Sequence, residues 1–118
     1  MSLDVAVVGS CNLDLVVTVD AIPLVGQTVL GGDLAQIPGG KGANQAVATS
    51  RLGHSSAFIG RIGDDDNGTF LKQCLQEDNV DTSFLFETED VPSGIAMIAV
   101  QADGDNSCLL YTSPSPRD

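Results

Sequence analysis

The residues best suited to chemistry fall in two short stretches, "GSCNLD" (residues 9–14) and "PGGKGAN" (residues 38–44). Asn12 offers a donor and an acceptor, Asp14 a pure acceptor, and Lys41 a cation with three donors. With Asn44 on the first turn of a helix, they form a set suited to vicinal hydroxyls, free of aromatic bulk. Gly39 and Gly40 make the turn, and a helix start presents backbone N–H groups that bind ligand oxygens. Taken alone, this stretch serves equally to hold a phosphate, to hold a sugar, or to let a helix pack tightly on a sheet. Asn12 or Asp14 alone reads as a loop cap.

Two phosphate motifs fail. A Walker A loop needs Gly five residues before the Gly-Lys pair and Ser or Thr after it, and those positions are Ala35 and Gly42. A dinucleotide fingerprint GxGxxG finds only Gly9 in "VVGSCNLD". "RIGDDDNG" places Asp64, Asp65 and Asp66 at a helix start. Consecutive carboxylates point in different directions, so they read as a solvated N-terminus favoured by the helix dipole rather than a metal site. His54 has no visible partner and receives no role; no metal site is expected.

The elements that must position these groups alternate in type. "VAVV" (Val5 to Val8) reads as a strand covered on both faces. "LDLVVTVD" alternates and reads as a half-exposed strand. Pro23 and Gly26 break it, and "QTVLGGDLAQIP" gives two more short extended pieces around Gly31-Gly32. A helix is expected from about Gly42 to Leu52, with Ala43, Ala46, Val47 and Ser50 on one small-residue face and Gly53 past its end. "SAFIGRIG" is a buried strand, and "DDDNGTFLKQCLQEDN" a second helix stopping at Asn79. "FLF" and "GIAMIAVQ" are further strands, the latter apolar on both faces and so central. "ADGDN" is a hairpin turn. This order points to an α/β fold with a small antiparallel layer standing off the main sheet.

Composition narrows the function classes. A chain of 118 residues with 42% hydrophobic and 18% charged residues reads as one globular domain. Its net charge is −11 with five Lys and Arg, so neither nucleic acid nor an anionic membrane is an expected partner. Cys11, Cys74 and Cys108 are odd in number and lack a CxxC pair, which fits a reducing compartment. No signal peptide is read in "MSLDVAVVGS", and the cytoplasm is the expected location.

The stretches "GSCNLDLVVTVDAIPLVGQTV", "PGGKGANQAVATSRLG", "FIGRIGDDDNG" and "SGIAMIAV" resemble, in order and spacing, the opening of ribokinases in the PfkB sugar-kinase family, over about residues 4–107. The resemblance implies an open sheet flanked by helices, its pocket capped by a small β-sheet lid made mostly of residues 13–38. It implies that Asn12, Asp14, Gly39, Gly40, Lys41 and Asn44 line a sugar site, with Asp14 accepting from ribose hydroxyls and Lys41 belonging to the sugar rather than to a phosphate. It implies ATP with Mg2+ and a monovalent cation as cofactors of the intact enzyme, and a homodimer through the lid. Another sugar or nucleoside, or a non-catalytic sugar-binding or dimerising module, remain the alternatives. No "GAGD"-like string occurs, so the catalytic base, anion hole and adenine pocket of such kinases are not encoded here, and residues 1–107 read as an incomplete, N-terminal portion. The ending "CLLYTSPSPRD" resembles the in-frame translation of a transposase-type sequencing adapter. Residues 108–118 are therefore expected to be a foreign, mobile tail.

Overall fold

The structure, a computed structural model, describes residues 3–111. Its strands are β1 (Val5–Val8), β2 (Asn12–Val19), β3 (Leu34–Gly39), β4 (Ser56–Gly63), β5 (Val80–Asp81), β6 (Leu85–Thr88), β7 (Gly94–Gln101) and β8 (Asn106–Tyr111); its helices are α1 (Lys41–Arg51) and α2 (Asp66–Glu77). They form two sheets. In the first, β4 pairs in parallel with β1 on one side and with β5 and then β6 on the other. The second has the order β3-β2-β7-β8, with β2 and β7 parallel and both outer pairs antiparallel.

Helices α1 and α2 cover one face of the first sheet. Phe58 and Ile62 from β4 are fully buried against Ala43 and Ala46 of α1 and Leu71 and Leu75 of α2, joined by Cys11 and Leu13 at the start of β2. Full burial of each large apolar side chain contributes about 1.5–3 kcal/mol. The small-residue face of α1 permits the close approach: a Cβ on Gly42 would stand 2.9 Å from the Gly9 Cα. Arg51, in the last turn of α1, pairs with Asp78 just beyond α2 through two bonds of 3.0 and 3.1 Å. Asn79 then takes φ +61°, ending that helix where the sequence places its stop.

Several expectations are corrected. β1 is covered on one face only, because Ala6 and Val8 on the other face are exposed, Val8 by 67%, while Val7 points into the core. Val8, Ile59, Arg61 and Phe86 share the face opposite the helices, with Arg61 over the Phe86 ring at 5.5 Å. β7 belongs to the second sheet rather than the first, so the lid is four-stranded and extends well beyond residues 13–38. It lies there between β2 and β8, with Ala96 buried and Met97 47% exposed. Of the two extended pieces expected around Gly31-Gly32, one forms a strand, β3. The other piece is tied to β2 by a bond of 2.9 Å from the Gly32 N–H to the Thr18 carbonyl. Cys108–Tyr111, expected in a mobile tail, pair with Ile95–Ile98 of β7. The rest of that expected tail, residues 112–118, lies outside the described residues. His54 does have a partner: its Nδ1 stands 3.5 Å from an Asp4 carboxylate oxygen.

Candidate functional site

The site is built where the lid sheet meets the first helix. Asn12 opens β2 and Asp14 follows two residues on, so the period of the strand puts both side chains on one face. The Asn12 side-chain amide donates to Asp14 Oδ1 at 2.7 Å, and both residues are half-buried. Directly opposite Asn12 in the antiparallel partner stands Gly39. A Cβ there would lie 2.7 Å from each Asp14 oxygen, so the carboxylate occupies the space that the glycine leaves.

Gly40 follows with φ +101°, a conformation L side chains rarely adopt, and its Cβ would sit 2.5 Å from the Ser10 carbonyl oxygen. That turn delivers Lys41 as the first residue of α1. The expectation of donors at this helix start is modified: the Ala43 N–H goes to the Ser10 carbonyl at 3.3 Å and the Asn44 N–H to the Gly40 carbonyl at 2.9 Å. The amides of Lys41 and Gly42 precede them, where a helix has no internal acceptor. Lys41 is exposed and forms no ion pair among the described residues. Asn44, also exposed, lies one turn on. It borders a cleft of about 260 Å³ between α1 and α2 whose wall includes Cys11 and Cys74.

The six expected residues thus fall on one junction: Asn12 and Asp14 at the start of β2, Gly39 at the end of β3, Gly40 in the turn, and Lys41 and Asn44 in the first turn of α1. Chemically, Asp14 has one oxygen engaged by Asn12 and another able to accept a hydroxyl hydrogen, while Asn12 keeps its carbonyl oxygen and Lys41 its three donors. Such a set of donors and acceptors is chemically suited to the hydroxyls of a polyol. It carries no pair of groups that transfers a proton to or from a reacting atom. Among the described residues, no three or more His, Cys, Asp or Glu side chains are grouped to hold a metal ion.

Asp65 is a residue whose part the sequence reading missed. It caps α2 by accepting the Gly68 N–H at 2.8 Å, yet it is half-buried rather than solvated. Both its oxygens also take bonds from Ser93, from Oγ–H at 2.7 Å and from N–H at 2.9 Å. Burial pushes its carboxyl up, but the hydrogen bonds from Ser93 and Gly68 outweigh this and hold it below the usual carboxylate range. The spacing Asp-x-x-Gly signals the cap; the partner 28 residues away has no local signal. Burial also pushes the Cys11 thiol up to about 12, with Cys74 nearby adding to the effect.

Comparison with known proteins identifies what the chain is similar to. Residues 2–116 match the pfkB family carbohydrate kinases. The chain is 46% identical over 107 residues to a ribokinase of Bacillus subtilis, covering 91% of this chain and 36% of that protein. It is 38% identical to a ribokinase of Mus musculus, covering 90% and 33% respectively. A solved ribokinase of Arabidopsis thaliana, complexed with ribose and ATP, superposes with a TM-score of 0.83 at 32% identity, over 94% of this chain and 36% of that one. A ribokinase of Cryptococcus neoformans in complex with ADP gives 0.82 at 38% identity, over 93% and 35%. The chain spans about a third of the length of these relatives.

Proposed function

The chain belongs to the pfkB family of carbohydrate kinases, and from that premise we propose that it carries the sugar-binding portion of a ribose kinase. In the intact protein the γ-phosphate of ATP passes to the terminal hydroxyl of D-ribose, giving D-ribose 5-phosphate. The observation that carries the reading is the Asn12–Asp14 pair packed over Gly39 at the mouth of α1. Asp14 accepts from ribose hydroxyls, Asn12 fixes the Asp14 carboxylate and offers its own oxygen, and Lys41 and Asn44 donate from the helix side. Gly39 and Gly40 leave the room in which the Asp14 carboxylate and the Ser10 carbonyl pack to shape the site.

These residues bind and orient; the deprotonation of the sugar hydroxyl and the charge stabilisation around the γ-phosphate that such a transfer needs are assigned to the remainder of the intact protein. Mg2+ and the monovalent cation are assigned there as well. The 118-residue chain alone is expected to give no ATP-dependent ribose phosphorylation.

The reading extends to a homodimer through the lid. Leu15, Val17, Leu34, Met97 and Leu109 line one groove on the lid sheet, and Met97 remains 47% exposed. A cytoplasmic location is part of the same proposal, and no described helix is long and apolar enough to cross a membrane.

The test is a chimera in which residues 1–107 replace the corresponding front third of the Bacillus subtilis ribokinase. A coupled ADP assay should show turnover with D-ribose exceeding that with fructose or adenosine. Preference for either competitor would move the reading to another sugar or nucleoside kinase of the family.

A further inference from the structure

The two sheets are joined by three chain crossings: residues 9–11 between β1 and β2, Gly40 between β3 and α1, and residues 89–93 between β6 and β7. The first two close on one another, through the Ala43 N–H on the Ser10 carbonyl and the tight packing of Gly40 against that oxygen. The third is closed by side chains. Ser93 is buried, donates its hydroxyl and N–H to the two oxygens of Asp65, and accepts the Gly63 N–H on its Oγ at 2.9 Å.

Capping α2 requires only the bond from Gly68. The two further bonds to Ser93 tie the end of β4 and the start of α2 to the first residues of the lid strand. The backbone is shaped around that tie: a Cβ on Gly63 would meet the Ser93 nitrogen at 2.4 Å, and one on Gly68 the Gly63 oxygen at 2.2 Å. The residue after Ser93 is Gly94, which stands in register with Asn12, and Ala96 stands in register with Asp14.

We propose that Asp65 is a positioning residue for the candidate sugar site: through Ser93 it holds the β7–β2 pair, and with it Asn12 and Asp14, at one setting against the layer that presents Lys41 and Asn44. The sugar-site reading supplies what is positioned; the clasp stands on its own bonds.

Hydrogen exchange on the 118-residue chain, read residue by residue with and without D-ribose, tests both parts. Asp65→Asn keeps an oxygen for the Gly68 N–H, since Asn is as good an N-cap as Asp. It cannot accept at both ends of the side chain. Without ribose, the variant should exchange about tenfold faster at Ser93, Gly94 and Asn12, as expected for one lost hydrogen bond, while Gly68 and the rest of α2 keep their protection. Ser93→Ala, which retains the Asp65 cap but also removes the acceptor of the Gly63 N–H, should loosen Gly94 and Asn12 likewise and Gly63 in addition. With ribose, the parent should gain protection across residues 12–15, and both variants should need about tenfold more sugar for the same gain. Loosening confined to the first turn of α2, or variants that match the parent at Gly94 and Asn12, would overturn the proposal. So would an unchanged ribose requirement beside a loosened β7. A parent indifferent to ribose contradicts the sugar reading instead, and the ribose-free pattern still decides whether Asp65 sets β7.

Discussion

The Asp14 carboxylate lies where a side chain at position 39 would be: both oxygens stand 2.7 Å from the Cβ that Gly39 lacks, and Asn12 holds one of them at 2.7 Å. The acceptor and the glycine therefore form one unit. Gly39→Ala should displace the carboxylate and weaken sugar binding without unfolding the protein. Gly40→Ala should act on stability, because φ +101° and contact with the Ser10 oxygen impose strain of about 1–3 kcal/mol. Gly53 also has positive φ, at +93°, but its Cβ would meet open space, so Gly53→Ala should cost less than Gly40→Ala. Urea midpoints of the two variants check the order; equal midpoints would contradict the packing at Gly40.

Much of this junction was legible from local chemistry. The Gly39-Gly40 turn, the small face of α1, the β4 run and the Asp-Gly hairpin at residues 102–106 depend on neighbours a few residues apart. What was not legible depends on distant ones. β7 is apolar on both faces, a pattern shared by a central strand of either sheet, and only its register with β2, some eighty residues earlier, assigns it to the lid. The bonds from Ser93 to Asp65 and from His54 to Asp4 likewise join segments whose separation carries no periodic signal.

Acid should open the Asp65 clasp. A carboxyl whose folded pKa lies below its unfolded value, about 3.9, stabilises fully above that value and loses its contribution as pH falls through the folded one. Protection at Gly94 should therefore be flat from about pH 7 to pH 5 and fall below about pH 4. Asp64, Glu89 and Asp90 line the same shallow cleft, while Asp4 and Asp81 are held low by Ser55 and Ser83 elsewhere on the surface. The parent-minus-Asp65→Asn difference isolates the clasp, and a difference that does not change with pH would contradict it.

The three cysteines should react in a fixed order. Cys108 is exposed, Cys74 half-buried, and Cys11 is 1% exposed with its thiol pushed up to about 12. Thiolate, not thiol, is the nucleophile. Maleimide labelling followed by mass spectrometry should modify Cys108 first and Cys11 only on unfolding. Early labelling of Cys11 would contradict its burial beside Leu13.

The uncovered face of the first sheet should drive self-association of the 118-residue chain. Val8 and Phe86 are 67% and 48% exposed on that face, and apolar area left in water forfeits about 25 cal/mol per Å². Size-exclusion chromatography should show concentration-dependent growth beyond a monomer, reduced by Val8→Thr with Phe86→Ser. Undiminished growth in that double variant would shift the cause to the lid groove around Met97.

The sugar-binding role of Asp14 is tested most directly by calorimetry on the chimera of residues 1–107 with the rest of the Bacillus subtilis ribokinase. Asp14→Asn replaces a pure acceptor by a group that is half donor, and removes a charged hydrogen bond of about 1.5–3 kcal/mol. Ribose affinity should fall roughly 10- to 150-fold, with ATP affinity nearly unchanged. Equal ribose affinity in the two forms would contradict the account, leaving Asp14 a structural partner of Asn12 over Gly39.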